Sequence, residues 1–210
     1  MENYEQTKQY RSSVPVVTVL LILANIIMYL ISAYKAGNIF DIDTYTLYTL
    51  GAKYGPAIAV GQTWRLFTCM FLHANALHIL FNMYSLYFVG TQVEEIYGKP
   101  SYIIIYLFSG IGASYLSYRL SYSTVSVGAS GAIFGLLGAM LIFILFKRNR
   151  IRKGALSNLL VVIALNLYIG FTSSGIDNFA HIGGLVTGII LSLLANLISK
   201  IKGGFYNEEN

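Results

Sequence analysis

Along the chain, long apolar runs alternate with short polar ones, and the runs have the length of membrane-crossing helices. The first thirteen residues are polar and mixed in charge, unlike the basic leader of a secreted protein, and Pro15 stands where a helix can begin. Residues 16 to 34 predict a first span. From Lys35 to Trp64 runs a long connection carrying Asp41, Asp43, Lys53, Pro56 and the aromatics Phe40, Tyr45, Tyr48 and Tyr54, a composition suited to the membrane interface. Residues 66 to 93 carry no fixed charge and predict a second span, closed by Glu94 and Glu95, although His73, His78 and Asn82 lie inside it. Pro100 opens a third from Ser101 to Tyr118. A fourth runs from Ser130 to Phe146, where five basic residues follow, a fifth over 155–171 with Asn166 near its middle, and a sixth over 179–199. The pattern therefore predicts an all-α membrane protein of six transmembrane helices: a single domain over 14–201, flanked by a polar segment at 1–13 and a frayed tail at 202–210.

Composition supports this class. Of 210 residues, 56% are hydrophobic and 11% charged, with a mean hydropathy of +0.63, more apolar surface than a water-soluble domain of this size could cover. The net charge of +5 does not form a basic face with interleaved aromatics, so nucleic acid is not an expected partner. Basic residues instead flank the spans. Lys8, Arg11, Lys99, the five after Phe146, Lys200 and Lys202 make ten on the side of the termini, against Lys35, Lys53, Arg65 and Arg119 opposite, which predicts that both termini are cytosolic. The single cysteine, Cys69, rules out an internal disulfide or a thiolate metal cluster and reads as a packing residue.

Ionisable groups inside a membrane are costly, and they mark candidate chemistry. Ser130 lies in Val127-Gly128-Ala129-Ser130-Gly131-Ala132-Ile133-Phe134-Gly135, a hydroxyl between small residues that would let backbone N–H groups approach a developing oxyanion. Counted from Lys147, Ser130 sits roughly 25 Å up a core of about 30 Å; the same rise puts His181 and His78 about 28 and 24 Å from their own boundaries. Asn82 follows His78 by one turn on the same face. Gly131-x-x-x-Gly135 and Gly184-x-x-x-Gly188, with Gly183 and Ala132 beside them, are small-residue patterns that let the fourth and sixth helices meet closely enough for Ser130 to reach His181. This constellation predicts Ser130 as nucleophile, His181 as base, and an oxyanion pocket from His78, Asn82 and the local backbone at Gly128 and Ala129. Asp177, one turn before His181, reads as a helix N-cap rather than a third catalytic group. The i, i+5 spacing of His73 and His78 would put them on different helix faces, and no acidic ligand is close in sequence, so no metal or other cofactor is expected.

These residues resemble the rhomboid intramembrane serine proteases. The likeness rests on His73-x4-His78-x3-Asn82, Glu94-x3-Gly98, Gly128-Ala129-Ser130-Gly131 and Ala180-His181-Ile182-Gly183-Gly184-x3-Gly188, in that order, with Trp64-Arg65 at a structural position of the first external loop. The resemblance implies a Ser130–His181 dyad without an aspartate, oxyanion assistance from His78 and Asn82, and the simple six-span bacterial form. Many members have a tyrosine where this chain has Phe134, whose ring could still stack on the base. The function so implied is endopeptidase cleavage of single-span membrane proteins near the outer membrane face, with the substrate arriving sideways past the fifth helix and the loop Gly170–Asn178 acting as a movable cap. The cell membrane is the implied location. The alternatives are a non-proteolytic binder of client helices and a small transporter; the second would need polar residues continuing toward the cytosol, and spans four and six carry no charge below Ser130 and His181.

Overall fold

The computed structural model of the chain describes residues 14–147, 152–172 and 175–207, with side chains to residue 198. The polar segment 1–13, Arg148, Arg150, Ser173, Ser174 and the last three residues lie outside it, as do the side chains of Lys200 and Lys202. Among the described residues every regular element is helical, apart from two isolated bridges, Asp41 with Asn75 and Lys53 with Ser126. The order is α1 (Val16–Ala36), α2 (Thr44–Leu50), α3 (Gly55–Ala59), α4 (Arg65–Thr68), a single 3-10 turn (Cys69–Phe71), α5 (Ala76–Leu120), α6 (Ser130–Phe146), α7 (Ala155–Thr172) and α8 (Asn178–Asn207). Four of these, α1, α5, α7 and α8, are long and apolar enough to cross a membrane; α6 is as apolar but shorter, at 17 residues.

The 45 residues of α5 are interrupted at Gly98, whose φ of 72° and ψ of 161° only glycine adopts readily. The chain doubles back there. Gly90 lies against the Tyr102 hydroxyl, while Gly110 lies against Met70 and Ser114 binds Cys69, so the arm 99–120 returns alongside the arm 76–97. The residues of the expected second and third spans lie on these arms. The second begins ten residues later than its uncharged run suggests, because residues 66–75 form α4, the 3-10 turn and an extended stretch ending in the Asn75 cap, whose side chain accepts from the His78 N–H. The frayed tail expected from Lys202 is instead helical backbone as far as Asn207.

The long connection after α1 is folded as well. Asp43 caps α2 by accepting from the Thr46 N–H at 2.8 Å and the Thr46 hydroxyl at 2.6 Å, bonds that hold its carboxyl below the ordinary value. Arg65 is buried: its guanidinium donates to the Tyr48 and Ala52 carbonyls at 2.7 and 2.9 Å and to Gln62 Oε1 at 2.7 Å, with the rings of Tyr48 and Trp64 near it. The planar, multiply donating cation thus pins the end of α2 to α4.

Two contacts organise the bundle. α1 starts at Pro15 with no side-chain cap and no acidic residue in its first turn; Glu94 of α5, 5% exposed, supplies both, accepting from Val17 N–H (3.0 Å), Thr18 N–H (2.8 Å) and the Thr18 hydroxyl (2.8 Å). The second contact is the seam of α6, α8 and the arm 99–120. A Cβ at Gly184 would strike the Gly131 carbonyl, and one at Gly188 the Gly135 carbonyl, so the two helices touch backbone to backbone as the small-residue spacing predicts. Gly183 and Ala132 meet a third partner beside that contact. Gly183 faces Gly112 and Leu116, and Ala132 faces Gly110, because the returning arm of α5 fills the groove between α6 and α8. Gly138 extends the seam against Leu185 and Ile189. α7 is held least: of its 18 residues only Leu159, Ile163 and Gly170 are buried.

Candidate active site

The first turn of α6 and the second of α8 meet at one end of this seam. Ser130 Oγ lies 3.0 Å from His181 Nε2, so the two side chains share a hydrogen bond, the geometry a hydroxyl and a base would need for proton transfer. His181 is 8% exposed, and its ring stacks on Phe134 with centroids 4.3 Å apart and planes 11° from parallel. Phe134 lies one turn beyond Ser130, so one helix holds both the hydroxyl and the ring stacked on His181. The other ring nitrogen, His181 Nδ1, has no hydrogen-bond partner among the described residues. Asp177 is not that partner. One carboxylate oxygen accepts from the Ala180 N–H at 3.1 Å, capping α8, and the other accepts from the Ser117 hydroxyl, which is the N-cap role expected for it.

His78 approaches from α5. Its Nδ1 accepts a long bond, 3.4 Å, from the Ala74 N–H, so the neutral ring carries its proton on Nε2. That Nε2 points at Gly128: a Cβ there would fall 2.7 Å from it. With φ at 125° as well, position 128 requires glycine twice over, for its backbone angle and for the approach of the imidazole. Asn82 is buried one turn further along and donates to the His78 carbonyl at 2.9 Å, which leaves its second N–H for another acceptor.

The backbone N–H groups before the serine are already engaged. Gly128 donates to the Cys69 carbonyl at 3.0 Å, and Ala129 to His73 Nε2 at 3.5 Å. The N–H groups of Ser130, Gly131 and Ala132 have no partner among the described residues, since Ile133 makes the first intrahelical bond of α6, back to Ala129. The free donors therefore begin at Ser130 itself.

His73 is the residue that sequence reasoning misplaced. The helical i, i+5 argument does not apply, because residue 73 precedes α5 in extended chain, and the rings of His73 and His78 meet edge to face at 5.0 Å. Cys69 is more than packing: its carbonyl holds Gly128 while its thiol touches the Ser114 hydroxyl at 3.0 Å. No sequence signal marks a carbonyl for such a task.

A family model described as the Rhomboid domain matches residues 60–197, the stretch that contains every one of these side chains. The chain belongs to the rhomboid family. It is 39% identical over 188 residues to the rhomboid protease GluP of Bacillus subtilis, an overlap of 90% of this chain and 36% of that protein. It is 36% identical over 183 residues to the rhomboid relative YdcA of the same organism, 86% of this chain and 88% of YdcA. RHOMBOID-like protein 1 of Arabidopsis thaliana is 41% identical over 151 residues, 71% of this chain and 38% of the relative. The chain thus spans little more than a third of GluP and of the Arabidopsis protein, and most of YdcA. With its long apolar helices, this rhomboid is a multi-pass membrane protein.

Proposed function

We propose that this rhomboid is a serine endopeptidase that cuts membrane-protein substrates near the outer face of the cell membrane, and that Ser130 and His181 are its dyad. The observation that carries the reading is the 3.0 Å contact between Ser130 Oγ and His181 Nε2, with Phe134 stacked on the base. Ser130 Oγ attacks the scissile carbonyl carbon while His181 Nε2 takes its proton. The carbonyl oxygen becomes an oxyanion, stabilised by His78 Nε2–H, the free N–H of Asn82 and the Ser130 N–H; Gly128 and Ala129, their own N–H groups engaged, shape the wall of that pocket. The imidazolium then protonates the leaving amine, and a water deprotonated by the same nitrogen releases the acyl group from Ser130. A binder that only held client helices would have no use for this contact.

The site needs water and a path for substrate. A cavity of about 300 Å³ lies between the end of α7 and the start of α8, lined by Ser121, Gly170, Asp177 and Asn178 among others; Asp177 is the cap of the helix that carries His181. The loose hold on α7 supports lateral approach past it. Purified protein in detergent, given a panel of single-span substrates, should release fragments whose ends map by mass spectrometry to one site near the outer end of the span. His78→Ala should lower turnover on the order of 100-fold to 1,000-fold, as expected for one oxyanion donor, with a smaller effect on substrate binding. Wild-type turnover in folded His78→Ala would remove His78 from the pocket.

The break at Gly98 supports six passes: α1, the two arms of α5, α6, α7 and α8. An even number puts both termini on one side, and the ten-to-four basic asymmetry makes that side cytosolic. Reporter fusions after Asn210 should read cytosolic and those in the loop at Asp41 external; the reverse pattern would overturn the topology.

A further inference from the structure

We propose that Lys53 is a positioning residue that sets the distance between the nucleophile and the base, an inference that rests on the proteolytic reading of the site. Lys53 is 1% exposed, and burying an ammonium is costly unless its hydrogens are all used. Here they are. Nζ donates to the Ser121 carbonyl at 2.7 Å, the Thr124 carbonyl at 3.2 Å and the Thr124 hydroxyl at 3.3 Å. Its backbone exchanges both hydrogen bonds with Ser126, each at 3.0 Å, and Gly55 donates to the Tyr122 carbonyl at 3.0 Å. The segment gripped in this way, 121–126, has no helix of its own and leads within four residues to Ser130.

The other half of the dyad is referenced to the same turn. Ser121 caps α5, and Ser117, one turn earlier on the same face, donates to Asp177, which begins the helix that carries His181. The last turn of α5 is thus held at Ser121 by the cation that fixes the nucleophile loop, and at Ser117 by the carboxylate that fixes the base helix. Lys53 also supplies positive charge at the carbonyl end of α5, where the helix dipole favours it. Burial pushes its ammonium below the ordinary value, and the charge of Asp177 opposes that push. A methionine could fill the same space and keep the backbone pair with Ser126, but would lose all three Nζ bonds, the only ones of the set that reach the end of α5 at Ser121 and Thr124.

The expected result is that Lys53→Met, assayed well below its melting temperature, keeps KM within a few-fold and loses kcat by about 100-fold, the scale of a misplacement near 1 Å. Ser130 labelling by a fluorophosphonate should slow in parallel, because that reaction does not depend on docking a transmembrane substrate. Lys53→Arg, which keeps the charge and the donors, should recover part of the loss. A second arm stands if Lys53→Met does not fold. Residues 53 and 126 form a hydrogen-bonded antiparallel pair, with Cα atoms expected about 5.5 Å apart, so Lys53→Cys/Ser126→Cys can form a disulfide. Oxidation should raise its kcat toward wild type and reduction should lower it again. Folded Lys53→Met with kcat within twofold of wild type, a loss carried by KM alone, or equal kcat in the oxidised and reduced double-cysteine protein would each overturn the proposal. Failure of the proteolytic reading itself is distinct, since wild-type protein would then neither cleave nor label.

Discussion

Ser130→Ala is expected to abolish proteolysis, with a loss on the order of 10,000-fold or more, while leaving a folded protein in detergent. The hydroxyl lies in the first turn of α6 with its hydrogen bond directed to His181, so its deletion leaves the Gly131–Gly184 and Gly135–Gly188 contacts intact. His181→Ala should be as inactive but less stable, because it also removes a ring stacked on Phe134, a contact worth about 0.5–1.5 kcal/mol. A fluorophosphonate should label Ser130 in wild type and fail in both variants, since it reports an activated hydroxyl rather than an exposed one. Cleavage retained by purified Ser130→Ala, or labelling mapped to another serine such as Ser126, would sink the dyad.

The second large effect should come from a residue that performs no chemistry. Gly184→Val is expected to lower kcat by about 100-fold and to destabilise the bundle by about 1–3 kcal/mol. Gly184 follows His181 by three residues and Gly131 follows Ser130 by one, so one of the two closest approaches of the helices lies in the same turn as the Ser130–His181 contact. Even a Cβ at 184 meets the Gly131 carbonyl, and the helices must part to admit it. Val186, on the same helix but 48% exposed, supplies the control: Val186→Leu should change kcat by less than twofold. Should Gly184→Val keep wild-type kcat and melting temperature, the backbone contact would not be what sets the Ser130–His181 distance.

The parts legible in the sequence are those whose signal repeats along one helix. Ser130, His181 and the two glycine pairs could be placed from depth and spacing, because a straight apolar helix converts residue number into height. Phe134 was expected only through the family resemblance, from the tyrosine that many members carry at that position. What failed to read was irregular backbone. His73 was assigned a helical face although it stands in extended chain, and the uncharged run from residue 66 concealed α4, the 3-10 turn and the Asn75 cap. Spacing reveals the small face at Gly183 and Ala132 but not that the returning arm of α5 packs against it. Lys53 and Arg65, counted as loop charges, are buried clamps; their partners are main-chain carbonyls, which carry no residue signature.

The capping of α1 by Glu94 bears on where the minimal folding unit begins. The family match starts at residue 60, and by that measure α1 could be regarded as a removable appendage. Yet Glu94, 76 residues downstream of Thr18, spends its carboxylate on the first turn of α1, and Tyr29 and Ala33 pack into the main core. A truncation that begins after α1 would strand a buried anion without its three donors and open the core beside it. Modularity in this chain therefore does not follow the limits of its most recognisable sequence: the smallest autonomous piece must start ahead of Val16.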